Sequence, residues 1–251
     1  MSYVEVRPTN PAGRYVQAFW QVSRGFAPGE TQRVLPDACS DFIFDLTDPA
    51  RRTGDCATMV GTMTRAIVVP RTGQLFGIRF RPGAAWLLYG APMKALCDIT
   101  APLDDIAHAA STFTERLASA DSFATRVALA QAFIEARLLA GEIDDDRRRT
   151  VEHINTHLEA GAAGTALARL GWNERKLQRF FESAYGMSPA TMRCFWRFEH
   201  LRRRLALNPR TNLADLALDH GYSDQAHMAR EFQRFAGLSI TAWRSETAAA
   251  A

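Results

Sequence analysis

The sequence predicts an α+β chain of two domains: a β-rich N-terminal domain with a helical tail, then a C-terminal all-α domain with two helix-turn-helix units. Three observations predict it. Apolar residues alternate at period two in short segments before residue 100, and recur at helical spacing after it. One plan, helix, Gly-aromatic, polar cap, helix, occurs twice, 50 residues apart, at Gly171-Trp172 and Gly221-Tyr222. The expected divisions are residues 1–143, residues 144–246 and a disordered tail, 247–251.

In the front domain, "SDFIFDL" (40–46) puts Phe42, Phe44 and Leu46 on one face and Asp41 and Asp45 on the other. "LFGIRFR" (75–81) sets Phe76, Ile78 and Phe80 against Arg79 and Arg81. "YVQAFWQV" (15–22) and "AIVVP" (66–70) are further strands, and Pro28-Gly29, Asp48-Pro49 and Arg71-Thr72-Gly73 are the turns. A small barrel or sandwich follows, closed off by helices. Pro102 precedes an expected helix, 103–118, and Ser122 caps the next, "FATRVALAQAFIEARLLA". Its stripe of Phe123, Val127, Ala130, Ile134 and Leu138 either packs on its own domain or forms a dimer seam. "GEIDDD" (141–146) is the polar break between domains.

In the back domain, "RTVEHINTHLEA" and the short "TALARLG" are helices, the second ended by Gly171. Asn173 caps "ERKLQRFFESAY", which Gly186 ends. Ser188-Pro189 starts a helix of about 20 residues, or about 30 Å, because proline at the first helical position forfeits no hydrogen bond. Asn208-Pro209 stops it. Asn212 then caps "LADLALDHG", and Ser223 caps "DQAHMAREFQRFAG".

The composition, 47% hydrophobic and 23% charged, is that of a globular chain. No run approaches the roughly 18 apolar residues of a membrane span, and the first residues lack a signal pattern, so no membrane partner and a cytoplasmic location are expected. Cys39, Cys56, Cys97 and Cys194 form no CxxC pair, and His153 and His157 stand four apart without an HExxH pattern. No metal, cofactor or catalytic residue is expected. The charge is divided: residues 147–244 hold 16 basic and 9 acidic side chains, a balance of +7, and the remainder carries −4. A polyanionic partner for the back domain fits that asymmetry.

The repeated plan explains how such a partner is met. Glycine ends the first helix in a left-handed conformation, and the next aromatic packs into the angle between helices. Met228, Phe232 and Phe235 make a buried stripe in the second unit, as Leu177, Phe181 and Ala184 do in the first. Arg175, Lys176, Gln178 and Arg179 lie off the first stripe, and Gln225, His227 and Arg230 off the second. Arg donates twice to guanine and Gln pairs with adenine in the major groove. Arg230 has a rival role in holding the fold or a phosphate, His227 in plain solvation, and the Arg202–Arg204 run in forming a solvated face.

Residues 147–246 resemble the DNA-binding domain of AraC/XylS-type transcription regulators. The second unit carries the resemblance at Ala217, Gly221-Tyr222, Arg230, Phe232, Gly237 and Trp243-Arg244, and the first at Leu167-Ala168, Leu177, Arg179, Phe181, Gly186 and Ser188-Pro189. Ile240, where the family usually has proline, and Met228, where an aromatic is common, are departures. The resemblance implies two recognition helices in successive major-groove segments, double-stranded DNA as partner, and RNA polymerase as a further partner if the protein activates.

"RVLPDACSDFIFDL" and "FGIRFRPGAAWLLYGAP" resemble the sensor domains of some such regulators, which implies a β-rich, cupin-like domain that takes a small-molecule effector or forms a homodimer. Residues 1–107 contain no histidine, unlike the metal-binding enzymatic cupins. Asp37, Cys39, Arg79 and Trp86 are the candidate pocket. The alternative is that Asp37 and Arg79 form a structural pair and Cys39 is a core thiol. The expected function is a sequence-specific, effector-responsive transcription regulator and not an enzyme. The alternatives are a ligand-independent dimeric regulator and an alkyl acceptor using Cys39 or Cys97.

Overall fold

Strict alternation in the front domain produces a sheet with two differently used faces. The computed structural model describes residues 3–23, 29–48, 56–70, 73–107, 110–141, 143–160, 167, 169–208 and 211–249. Among them, β1 (Tyr3–Val6), β2 (Val16–Val22), β7 (Leu75–Phe80), β4 (Ser40–Asp45), β5 (Ala57–Val60) and β8 (Thr100–Pro102) form an antiparallel sheet in that spatial order. β3 (Thr31–Val34) and β6 (Ile67–Pro70) pair separately as a two-stranded ribbon.

On one face of the sheet, Phe42, Phe44, Phe76, Ile78 and Phe80 are fully buried. They pack with α1 (Ala84–Tyr89), α3 (Ala110–Ala118) and α4 (Phe123–Ala140). Ser122 caps α4, its Oγ accepting from Thr125 N–H at 3.1 Å. The α4 stripe is used within the domain: Ala130 and Ile134 are buried, and Phe123, Val127 and Leu138 lie against the same core. The expected helix over 103–118 is broken. Leu103–Asp105 is a 3-10 turn and the α-helix begins at Ala110, after residues 108–109, which lie outside the described ones. Asp104 accepts from the Ser111 hydroxyl across this break, at 2.9 and 2.8 Å. Of the turn signals, Pro28, Pro49 and Arg71-Thr72 lie outside the described residues.

The back domain is helical. α5 (Asp145–Glu159) is capped by Asp144, α6 (Glu174–Tyr185) by Asn173, α7 (Pro189–Leu207) by Ser188 and α8 (Leu213–Asp219) by Asn212. α9 (Gln225–Ala236) is capped by Asp224 and not by Ser223: the carboxylate accepts from His227 N–H at 2.6 Å, and as an anion it also suits the positive helix terminus. α10 (Ile240–Ala249) includes residues 247–249 of the expected tail, since alanine has the highest helix propensity. Of "TALARLG", Leu167 and Arg169 are helical, and residues 165, 166 and 168 lie outside the described ones. Phe195, Phe198, Leu201 and Leu205 of α7 are buried with Phe181 of α6 and Phe232 and Phe235 of α9, so the two units share one core.

The domains touch through α1, α2 (Met93–Leu96) and α6. Lys94 Nζ pairs with Glu182 at 2.7 Å, Trp86 packs edge-on to Phe180 at 5.5 Å, and Asn155 donates to the Pro82 carbonyl at 2.9 Å. Gly186 ends α6 at φ 73°, where an added Cβ would lie 2.5 Å from the Met93 carbonyl. Gly221 holds φ 71° in open space. Gly221→Ala is therefore expected to cost about 1 kcal/mol, for conformation alone. Gly186→Ala should cost roughly 2–4 kcal/mol, for conformation and overpacking together. Urea midpoints of the two variants check the ranking.

Candidate nucleic-acid interface and front-domain cavity

α6 and α9 each turn one apolar stripe inward, which fixes what they turn outward. Phe181 and Ala184 are fully buried on α6, and Arg175, Lys176 and Arg179 are exposed. Lys176 Nζ stands 4.2 Å above the Trp172 ring, which itself packs on Phe180. Gln178 is set apart from these cations: half-buried, it donates to Glu182 Oε1 at 2.6 Å, beside the Lys94 pair. On α9, Met228, Phe232 and Phe235 are fully buried, and Gln225 and Arg230 are exposed. His227 is half-buried, its Nδ1 3.1 Å from Ser223 Oγ and its ring edge-on to Tyr222 at 5.4 Å. Gln233 and Arg234, three and four residues after Arg230, are exposed on the same side. The helical period was the signal that could have added them to the expected set.

The fold-holding arginine of this region is Arg197, on α7. Its Nε and Nη2 donate to the two Glu231 oxygens at 2.9 and 2.6 Å, and its guanidinium lies 4.3 Å from the Tyr222 ring centre. Burial pushes the Glu231 carboxyl up, but hydrogen bonding and the charge of Arg197 outweigh it and hold the group below its ordinary range. Glu199, also buried, accepts from Arg202 at 2.8 and 2.6 Å and from Arg203 at 3.0 Å. Two of the three arginines in that run thus neutralise a carboxylate on their own helix, and Arg204 is exposed.

The other face of the front sheet looks onto the β3–β6 ribbon across a cavity of about 360 Å³. Asp37, Cys39 and Arg79 line it; Trp86 does not. Trp86 sits on α1, on the far side of the sheet, between Phe180 and the Arg147 guanidinium at 5.1 Å. Its place is taken by Trp20, whose indole N–H donates to Asp41 Oδ1 at 2.8 Å. Trp20 lies flat on Gly77, its partner in the β2–β7 register; a Cβ there would stand 2.0 Å from the ring. Arg79 is opposite Asp41 in the β4–β7 register, and its Nε lies 3.2 Å from Asp41 Oδ1 and 3.5 Å from Asp37 Oδ2. Burial pushes both carboxyls above their ordinary range, and the Arg79 charge opposes it. The Cys39 thiol bonds Gln17 Oε1 at 3.0 Å, and burial pushes it well above its ordinary value.

Cavity and α9 are joined directly. Ala66 N–H, one residue before β6, donates to the Phe235 carbonyl at the end of α9, at 2.9 Å. Arg33 of β3 lies 3.6 Å from Glu246 of α10. On the cavity's other side, Ala38 stands between Asp37 and Cys39 at φ 58° and is buried in the back-domain core.

With this geometry in view, residues 167–246 match a helix-turn-helix domain family, and residues 4–102 match a domain of unknown function, DUF6597. The chain thus carries a helix-turn-helix domain behind a separate N-terminal domain. No match is found among curated protein sequences. Solved structures of ToxT from Vibrio cholerae are similar in outline. One is 8% identical over 98% of this chain and 98% of that one, with a TM-score of 0.42. Another, bound to (E)-4-(8-methylnaphthalen-1-yl)but-3-enoic acid, is 8% identical over 91% and 97%, with a TM-score of 0.41. Among the described residues no helix is long and apolar enough to cross a membrane, and no group of three metal-ligating side chains occurs.

Arg197→Met is expected to lower stability by about 3 kcal/mol, by leaving the buried Glu231 carboxylate unpaired, and Glu231→Gln by about 1 kcal/mol, because Arg197 is partly exposed. The folded-state Glu231 carboxyl is depressed, so its contribution is present above the unfolded value and lost as pH falls through the folded one. The gap between wild type and Glu231→Gln should therefore narrow below about pH 4. Denaturant titrations across that range read it.

Proposed function

We propose that the chain recognises a specific DNA site through α6 and α9, and that a small molecule in the front cavity changes that binding. The observation that carries the reading is the Ala66–Phe235 hydrogen bond, which fastens the cavity's covering ribbon to the end of the second recognition helix. Any occupant that displaces the ribbon acts on α9 through it. The segment around Ala38 gives a second route, into the core that holds α7.

At the DNA, Arg175, Lys176 and Arg179 serve the first half-element, and Gln225, His227 and Arg230 the second, with Gln233 and Arg234 available beside them for phosphates. Gln178 reaches a base only by leaving Glu182. α7 is 19 residues long, or about 29 Å, close to the roughly 34 Å between major-groove segments one turn apart. A site of about 17–20 base pairs follows. The chain acts by binding and not by catalysis. Burial raises both Cys39 and Cys97 above their ordinary thiol values, which opposes the thiolate an alkyl acceptor needs. A front domain that only dimerises through α4 is disfavoured by the packing of that helix's stripe on its own sheet.

Arg179→Ala and Gln225→Ala are each expected to weaken specific binding by about 1–3 kcal/mol with little loss of fold. Site selection from random DNA followed by mobility shift tests this, and equal affinity of wild type and both variants refutes it. For the cavity, a thermal-shift screen of metabolites on wild type should give hits whose shift changes in Arg79→Ala. Unchanged hits in the variant remove the effector from this site.

A further inference from the structure

We propose that the cavity under the β3–β6 ribbon binds a small organic cation with an apolar body, its charged head at Asp37 and Asp41. This rests on the effector reading above and names the class of molecule.

The charge inventory carries the inference. The lining residues include three carboxylates, Asp37, Asp41 and Asp45, and one guanidinium, Arg79. Arg79 Nε is shared between Asp41 at 3.2 Å and Asp37 at 3.5 Å. With all three ionised, that trio holds one net negative charge. The groups that face Asp41 are Trp20 from β2, Arg79 from β7, Tyr3 from β1 and Asp37 and Cys39 from the segment before β4. Trp20 supplies a neutral donor and Arg79 the cation beside Asp41; Arg202 also acts on Asp37 from α7, but its charge is offset by its own partner Glu199. Asp41 is buried and Asp37 partly so, and an excess negative charge held out of water is costly unless a proton or a cation offsets it.

The walls select which cation. Ile43, Val60, Met63, Val69 and Leu75 line the remainder of the cavity. A hard metal ion takes six or more oxygen ligands, and here a guanidinium already stands between the two nearest carboxylates. An ammonium or amidinium group needs only the carboxylate acceptors, and its hydrocarbon part matches the aliphatic wall. The volume, about 360 Å³, falls in the range of small-ligand sites, roughly 300–1,000 Å³. A bound cation favours the ionised carboxylates. Burial pushes Asp41 up to about 6, so binding should strengthen as pH rises through that value, even for a head group that does not titrate.

The test is calorimetry on the full chain with phenethylamine, phenethyltrimethylammonium, 2-phenylethanol and 3-phenylpropionate, at about pH 5 and about pH 7.5. The two cations are expected to bind at least about tenfold more tightly than the alcohol and the carboxylate at the higher pH, and to weaken at the lower. Asp41→Asn should remove that preference. Because Asp41 also holds Trp20 and Arg79, Asp37→Asn provides a second variant with the same expected direction. Val69→Trp, which fills the cavity, should abolish binding. Equal or tighter binding of the alcohol or carboxylate, cation binding that ignores pH and both Asp variants, binding that survives Val69→Trp, or no cation binding overturns the proposal. The effector reading is decided separately, by the metabolite screen on wild type and Arg79→Ala: carboxylate binding lost in Val69→Trp would leave the site standing and change its ligand.

Discussion

Everything in the back domain is hung on α7, a helix that has to be buried on several sides at once. Phe195, Phe198, Leu201 and Leu205 face the two helix-turn-helix units, and the same helix carries a buried carboxylate, Glu199, and the partner of another, Glu231. An apolar helix would satisfy the core alone. The ion pairs add direction: the planar Arg197 fork accepts one orientation of Glu231, and with Tyr222 beneath it that pair sets the rotation of α9 about its own axis. Since the inward face is fixed by Met228, Phe232 and Phe235, so is the outward one, where Arg230, Gln233 and Arg234 stand. A basic surface is thus a consequence of how the core is filled.

The front domain solves a different problem with the same means. One face of its sheet is a phenylalanine core under helices. The other carries charge, and a two-stranded ribbon covers that charge without filling the space beneath it. Buried carboxylates beside a guanidinium are weak contributors to stability. Their grouping around an open volume, with Trp20 pinned by Gly77, suits recognition better than packing. The ribbon is short and exposed at Val68, and among the described residues it is bonded to α9 and α10 through the Ala66–Phe235 hydrogen bond and the Arg33–Glu246 ion pair. A displacement of the ribbon therefore acts on those bonds.

The sequence by itself determined the elements and their inward faces. The period of two in residues 40–46 and 75–81, the caps at Ser122, Asn173, Ser188 and Asn212, and the repeated Gly-aromatic pair are local properties, set by sterics and hydrogen bonding within a few residues. They sufficed to place Arg175, Lys176, Arg179, Gln225 and Arg230 on exposed surfaces, because a helix that buries one stripe must expose the other. Local competition between neighbouring caps was harder to read: Asp224 takes the His227 amide, and the Ser223 hydroxyl bonds the Asp224 carboxylate and lies 3.1 Å from His227 Nδ1.

Only the tertiary structure decided the cavity and its connection. Asp41 meets Arg79 because β4 and β7 pair in one register, and a shift of one residue would have put Phe42 there. Trp86 was read as a cavity residue because it lies in a segment that resembles the sensor domains, but the chain turns into α1 and carries it to the opposite side of the sheet. Gln178 was read from its residue type and helical position, but Glu182 and Lys94 of the other domain engage it. Pairing across 38 residues, as for Asp41 and Arg79, or across the domains, as for Ala66 and Phe235, depends on how separate elements close on one another. No window of neighbouring residues contains that information.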